Sequence, residues 1–234
     1  MDEISSALKL SDCDDFLFNL VCNEFLKAEE MDIIKQSSIQ LKFQRGEAII
    51  KQGARSTHIA FLSKGVVKHV YEDETGRNLI LALSSAPNLI GGANMFYNGK
   101  NAFTVFALED CQACLIEISA LKQVILLNSQ FALKLFEVAT DMFQDAIFNF
   151  ISLAHKHVNG RVADIFIFLS RSIYKSEKFT LSLTRKELSE FAGVSQENVI
   201  TTLSKFNREG VISVDGKNIE ILNFDKLAQI SKIG

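Results

Sequence analysis

A single proline, Pro87, in 234 residues leaves no Pro-rich spacer to divide domains, and no low-complexity linker or internal repeat takes its place. No uninterrupted apolar run reaches the roughly 18–20 residues that a membrane helix needs. The amino terminus, MDEISSALKL, opens acidic and has no basic region followed by an apolar stretch, so it does not resemble a secretory signal. The expected address is the cytoplasm, with no membrane partner. A Gly-rich phosphate loop is also missing. An enzyme reading is left with thiol chemistry at Cys111-x2-Cys114, which has no catalytic His/Asp partner and no helix start after the first cysteine. The chain is therefore not expected to be an enzyme.

What is there is concentrated near the carboxyl end. The segment Leu183 to Asn223 reads as two short helices joined by a tight turn, followed by a two-stranded wing. Thr184 is a hydroxyl N-cap, with Glu187 three residues on as the reciprocal capping-box partner. Gly193 supplies the turn, and Ser195 caps a second helix with Asn198 at its third position. Val199, Leu203 and Phe206 recur at helical spacing and predict a buried face. Gln196, Glu197, Thr201, Thr202 and Lys205 are assigned to the opposite, outward face. Gly210 closes the helix, and Asp215-Gly216 is a strong hairpin-turn signal between VISV and IEIL. A helix with a polar amino-terminal end, braced by a shorter one, is how a protein places side chains in the DNA major groove. The alternative is a structural helical pair with a hairpin.

Charge is distributed in keeping with the first reading. Residues 155–234 hold 12 Lys/Arg against 9 Asp/Glu, a surplus of +3, while residues 1–154 hold 13 against 19, a deficit of −6. The positive excess lies where phosphate contacts would be made.

At 47% hydrophobic residues the chain fits a globular protein, long enough for two modest domains. Residues from about 12 to 37 look helical. From Ile39 to Ile118 short β segments alternate with Gly-, Asn- and Asp-bearing turns, as a β-roll or jelly-roll needs; Ala48 to Ile50, Ile59 to Leu62, Val66 to Tyr71 and Leu79 to Leu83 are examples. Residues from about 129 to 154 form a long helix whose apolar positions cover well over half its circumference. The expected class is α+β.

Several motifs occur together in one order. They are Arg45-Gly46-Glu47 with Gly53, Lys64-Gly65, Asp73 to Gly76, Asn159 to Ala163, Thr184 to Leu188, and Gly193 to Val199. On these the chain resembles the cyclic-AMP receptor and fumarate–nitrate-reduction (Crp/Fnr) family of transcription regulators, over nearly its whole length. The resemblance implies a β-roll effector domain with flanking helices (1–128), a dimerisation helix (129–155) and a winged helix-turn-helix (156–234). It also implies a homodimer on a pseudo-palindromic operator in double-stranded DNA, with RNA polymerase as a further partner. The implied dimer seam contains Phe136, Phe143, Ile147 and Phe150. The implied DNA-binding set is Thr184, Arg185, Ser195, Gln196, Glu197, Asn198, Thr201, Thr202 and Lys205. Glu197 suits a cytosine amino group, Gln196 suits adenine, and Arg185 and Lys205 suit phosphates. Thr201 stands where many relatives carry a guanine-binding Arg, so the operator is expected to shift toward A·T pairs.

The family's cyclic-nucleotide cassette needs a Glu for the ribose and an Arg for the cyclic phosphate. Here Gly91 survives, but Gly92 stands at the Glu position, Ala102 at the Arg position and Phe103 at the hydroxyl position. On the long helix, Ala146 and Ile147 replace the hydroxyls that would meet adenine. A displaced cation at Lys100 is the alternative. The frame is left for a hydrophobic ligand or for none. One family branch carries an iron–sulfur cluster on three amino-terminal cysteines and a central one. Here Cys13 and Cys22 lie eight residues apart, and Cys111 and Cys114 lie in an apparent strand where they point to opposite faces. Buried reduced thiols are the expectation, with a cluster or zinc site as the alternative. Haem on His69 or Met142 is another alternative, while His155 and His157 diverge and suit a helix carboxyl terminus.

Leaving a phosphodiester anion against Ala102 and Phe103 without a cation would cost several kcal/mol. Calorimetry with cyclic AMP and cyclic GMP is therefore expected to show no saturable binding at micromolar ligand, and a saturable isotherm would overturn this expectation.

Overall fold

A computed structural model of the chain describes residues 25–91 and 99–234. Cys13, Cys22 and Gly92, and the side chain of Met142, lie outside what it describes. The element order is α1 (Ala28–Gln36), β1 (Ser38–Phe43), β2 (Ala48–Ile50), β3 (His58–Lys64), β4 (Val66–Glu72), β5 (Asn78–Ser85), β6 (Asn88–Ile90), β7 (Thr104–Ala107), β8 (Cys111–Glu117), α2 (Ile118–Leu127), α3 (Ser129–His155) and α4 (Val158–Phe168). After a π-helical turn at Leu169–Ile173 come β9 (Lys178–Thr180), α5 (Arg185–Ala192), α6 (Gln196–Arg208), β10 (Ile212–Asp215), β11 (Asn218–Ile221) and α7 (Phe224–Ile233). Among the described residues, no helix is long and apolar enough to cross a membrane.

Two four-stranded sheets, ordered β1-β8-β3-β6 and β2-β7-β4-β5, carry the β-rich part. The chain divides into two compact units. One runs up to Val67 and resumes over Ser84–Phe143; the other takes Lys68–Leu83 and Gln144–Gly234.

The first unit buries two clusters on opposite faces of the first sheet's strands. Strand alternation sorts the residues. Ile59, Phe61, Cys114 and Ile116 join Ile34, Leu121, Val124 and Phe131. Ala60, Leu62 and Cys111 join Ile50, Val67, Ile90, Val105 and Ala107. Cys111 and Cys114 thus sit in different clusters, too divergent for a dithiol pair. Burial pushes the Cys111 thiol up, and its Sγ donates to the carbonyls of Val66 and Glu109. The same packing accounts for Gly65: at φ +99, a Cβ there would come within 2.5 Å of Cys111 Sγ. Asn128, between α2 and α3, ties the helical layer together. Its Nδ2 donates to Phe25 O at 2.7 Å and to Glu30 Oε2 at 2.8 Å, and its Oδ1 accepts from Phe131 N–H at 3.0 Å.

In the second unit, Asp164 on α4 collects three donors, from α3, from the junction after it and from α7. Ser152 Oγ lies at 2.6 Å, Lys156 Nζ at 2.7 Å, and the Ser231 hydroxyl of α7 also donates to it. Arg161, from the Asn159 to Ala163 motif, donates from Nε to Lys156 O at 2.8 Å and from Nη1 to Gly193 O at 3.3 Å. The wing is not the two-stranded hairpin expected from sequence. β11 pairs with β10 and also with β9, giving the order β10-β11-β9. Tyr174 stacks on Phe179 of β9 with ring centroids 4.6 Å apart.

His69, the alternative haem ligand of the sequence reading, is 3% exposed in β4. Burial disfavours its imidazolium and lowers its pKa from 6.5 to about 4. Among the described residues, no group of three or more His, Cys, Asp or Glu side chains is arranged to hold a metal. Because the folded pKa lies below the unfolded one, the unfolded chain takes up the proton first on acidification. The stabilisation is whole above pH 6.5 and is lost as pH falls toward about 4. Denaturant titrations across this window are expected to show up to about 3 kcal/mol of acid destabilisation that His69→Leu removes. An unchanged slope in that variant would contradict it.

Candidate nucleic-acid interface

The helix pair forms where local chemistry favours it. Thr184, extended at φ −78, accepts from Glu187 N–H at 3.1 Å, and Glu187 Oε2 accepts from Thr184 N–H at 2.7 Å, closing the capping box. α5 ends on Gly193 at φ 62, the left-handed conformation that glycine adopts without strain. Two residues later Ser195 Oγ accepts from Asn198 N–H at 3.2 Å and starts α6. These roles match the sequence reading, and each hydroxyl, having accepted one hydrogen bond, keeps its own O–H donor. Thr184 and Ser195 position helices.

Glu187 has a second task. Its Oε1 accepts from Lys68 Nζ at 2.6 Å, with both side chains 16% exposed. Burial raises its pKa, but the Lys68 ammonium and the Thr184 hydrogen bonds outweigh that and hold the carboxyl below its usual range. Nothing in local sequence signalled this pair, because Lys68 and Glu187 lie 119 residues apart.

On α6, Val199, Leu203 and Phe206 are buried as expected. Gln196, Glu197, Asn198 and Thr201 are exposed, and Lys205 is half-buried. Thr202 corrects the sequence assignment. It is 4% exposed, on the inward side of α6, and its Oγ1 donates to Asn159 Oδ1 at 3.2 Å. A threonine among apolar positions reads as outward by composition, but the Asn159 side chain of α4 supplies it with a buried partner. Arg185 is also engaged: Nη2 donates to Gly216 O at 2.9 Å, linking α5 to the wing turn. Sequence reasoning passed over Ile200, which is 47% exposed on the outward side of α6.

The residues that the sequence reading assigned to a degenerate cassette fall in separate units. Gly91 is buried at φ +83, where a Cβ would meet Ile50 Cδ1 at 2.5 Å. Ala102 is exposed and Phe103 packs partly buried against the cluster of Ile50, Leu62 and Val105. These belong to the first unit, while Ala146 and Ile147 are exposed residues of the second. Lys100 is exposed and its backbone bridges to Arg55. On α3, Phe136, Phe143 and Phe150 are 72%, 66% and 70% exposed, and Ile147 and Leu133 are exposed as well.

Comparison with known proteins agrees with this arrangement. The family described as a cyclic nucleotide-binding domain matches residues 40–128, and the one described as a Crp-like helix-turn-helix domain matches residues 160–230. The fumarate and nitrate reduction regulatory protein of Escherichia coli (strain K12) is 26% identical over 230 residues, covering 94% of this chain and 90% of that protein. The cAMP-activated global transcriptional regulator CRP of Salmonella typhimurium is 24% identical over 184 residues, covering 77% and 88%. Among solved structures, FixK2 from Bradyrhizobium japonicum aligns with a TM-score of 0.76 at 19% identity, covering 82% of this chain and 96% of that one. With a cyclic nucleotide-binding fold ahead of a Crp-like helix-turn-helix, the chain belongs to the Crp/Fnr family of DNA-binding transcription regulators.

Proposed function

We propose that this regulator binds a two-fold-symmetric operator as a homodimer and does not use a cyclic nucleotide as its effector. The observation that carries the DNA reading is α6, a hydroxyl-capped helix with Gln196, Glu197 and Thr201 exposed over a buried Val199, Leu203 and Phe206. RNA polymerase belongs to the proposal as the partner through which such a protein acts, and the cytoplasm as its place.

The dimer is supported by the spacing of exposed residues on α3. Phe136, Phe143 and Phe150 recur every seven residues, and Leu133, Thr140, Ile147 and Ala154 occupy a second heptad position between and beside them. A sustained heptad, apolar at both positions except for Thr140, suits a two-stranded coiled-coil seam. Two chains joined this way would present two α6 helices to half-sites about 34–36 Å apart. The effector reading rests on Ala102 and Phe103, which offer a cyclic phosphate no cation.

Binding selections from random duplex DNA test the proposal. Wild type is expected to yield a palindromic, A·T-leaning site. Glu197→Ala is expected to relax one base pair per half-site by roughly 1–3 kcal/mol. Thr202→Val serves as the contrast: it removes the donor to Asn159 and is expected to cost about 1–3 kcal/mol of stability while leaving the selected site unchanged. Phe143→Glu is expected to sediment as a monomer and to lose the operator. Identical sites from wild type and Glu197→Ala would overturn the base-reading role, and a dimeric Phe143→Glu protein would overturn the seam.

A further inference from the structure

The outward side of α6 carries one side chain that cannot hydrogen-bond. Ile200 lies one turn after Gln196 and one turn before Ser204, and Glu197 and Thr201 form the adjacent stripe. A single exposed isoleucine on a protein surface is ordinary. This one stands midway along the face that the DNA-binding reading turns toward the groove, in a helix interior where a β-branched residue is a poorer helix former than the straight-chain alternatives. Its neighbour does not dilute its apolar character. Ser204 Oγ donates to Ile200 O at 2.9 Å, so the hydroxyl is turned back onto the helix.

We infer that Ile200 is a specificity-determining residue that reads the C5-methyl group of thymine in the major groove. The inference rests on the DNA-binding reading above. Major-groove edges offer nitrogen or oxygen acceptors, amino donors and, on thymine alone, a methyl group. An isoleucine pressed against an acceptor or donor strips its water and returns no hydrogen bond, which penalises guanine, adenine and cytosine at that place. Against a thymine methyl it buries apolar surface on both partners. Ile200 thereby complements Gln196, whose amide pairs with adenine, and the two together favour an A·T step.

The test uses the full-length protein and the site selected by wild type, with each thymine replaced in turn by deoxyuridine, which differs only in lacking the methyl. At one thymine per half-site the replacement is expected to weaken wild-type binding about fourfold, the change that burial of one methyl group produces. Ile200→Ala is expected to weaken the parent site by a similar factor and to be indifferent to deoxyuridine at that position, while Ile200→Val retains some of the effect. The exposed position and the higher helix propensity of alanine predict thermal midpoints no lower than that of wild type, so the loss is not one of folding. If deoxyuridine at every position weakens wild type and Ile200→Ala equally, the methyl contact is overturned while DNA binding stands. If wild type selects no sequence at all, the DNA-binding reading falls, and this inference with it.

Discussion

The Glu187 carboxylate is the group on which the recognition apparatus depends most directly. It closes the capping box that starts α5, and the direction of α5 fixes the turn at Gly193 from which α6 departs. It also holds the Lys68 ammonium of the β4–β5 hairpin. A half-buried carboxylate is costly unless its oxygens are filled, and here both are filled by donors of different origin. Removing the carboxylate would break the Lys68 ion pair and the capping-box bond to Thr184 N–H together. One side chain thus joins a local event, helix initiation, to a long-range one, the docking of a hairpin in the same unit.

Asp164 has the equivalent role elsewhere in the same unit. It gathers Ser152, Lys156 and Ser231, so the end of α3, the junction between α3 and α4, and the last helix meet at one carboxylate. Arg161 extends that node to the Gly193 turn. The orientation of α6 is therefore set from both sides. Apolar burial of Val199, Leu203 and Phe206 gives it depth, and hydrogen bonds through Arg161 and between Thr202 and Asn159 give it rotation.

Features decided by neighbours along the chain are legible in the sequence itself. The Thr184 and Ser195 caps, the left-handed glycines at 193, 210 and 216, and the strands at Ala48–Ile50 and around Val66 all follow from short-range sterics and hydrogen bonding. The alternation that separates Cys111 from Cys114 is legible for the same reason. What escapes a sequence reading is non-local. Thr202 looks like a surface threonine until Asn159 is brought beside it, and β9 is a strand only through its pairing with β11, some forty residues on. Ile200 escapes because an apolar residue on a helix reads as core, whereas the folded helix places it with Gln196 and Ser204.

The bond from Arg185 to Gly216 joins the beginning of α5 to the tip of the β10–β11 turn, while β9 clamps β11 from its other edge. A two-stranded wing on its own would flex about its base, and a turn of Asp215 and Gly216 would supply little stiffness. Held at the tip by a guanidinium and at the flank by a third strand, the wing becomes a continuation of the lever formed by the helix pair. A displacement of α5 is handed to the loop some thirty residues later without passing along the chain between them. The wing is therefore tied at two places, its tip to the start of α5 and its flank to β9.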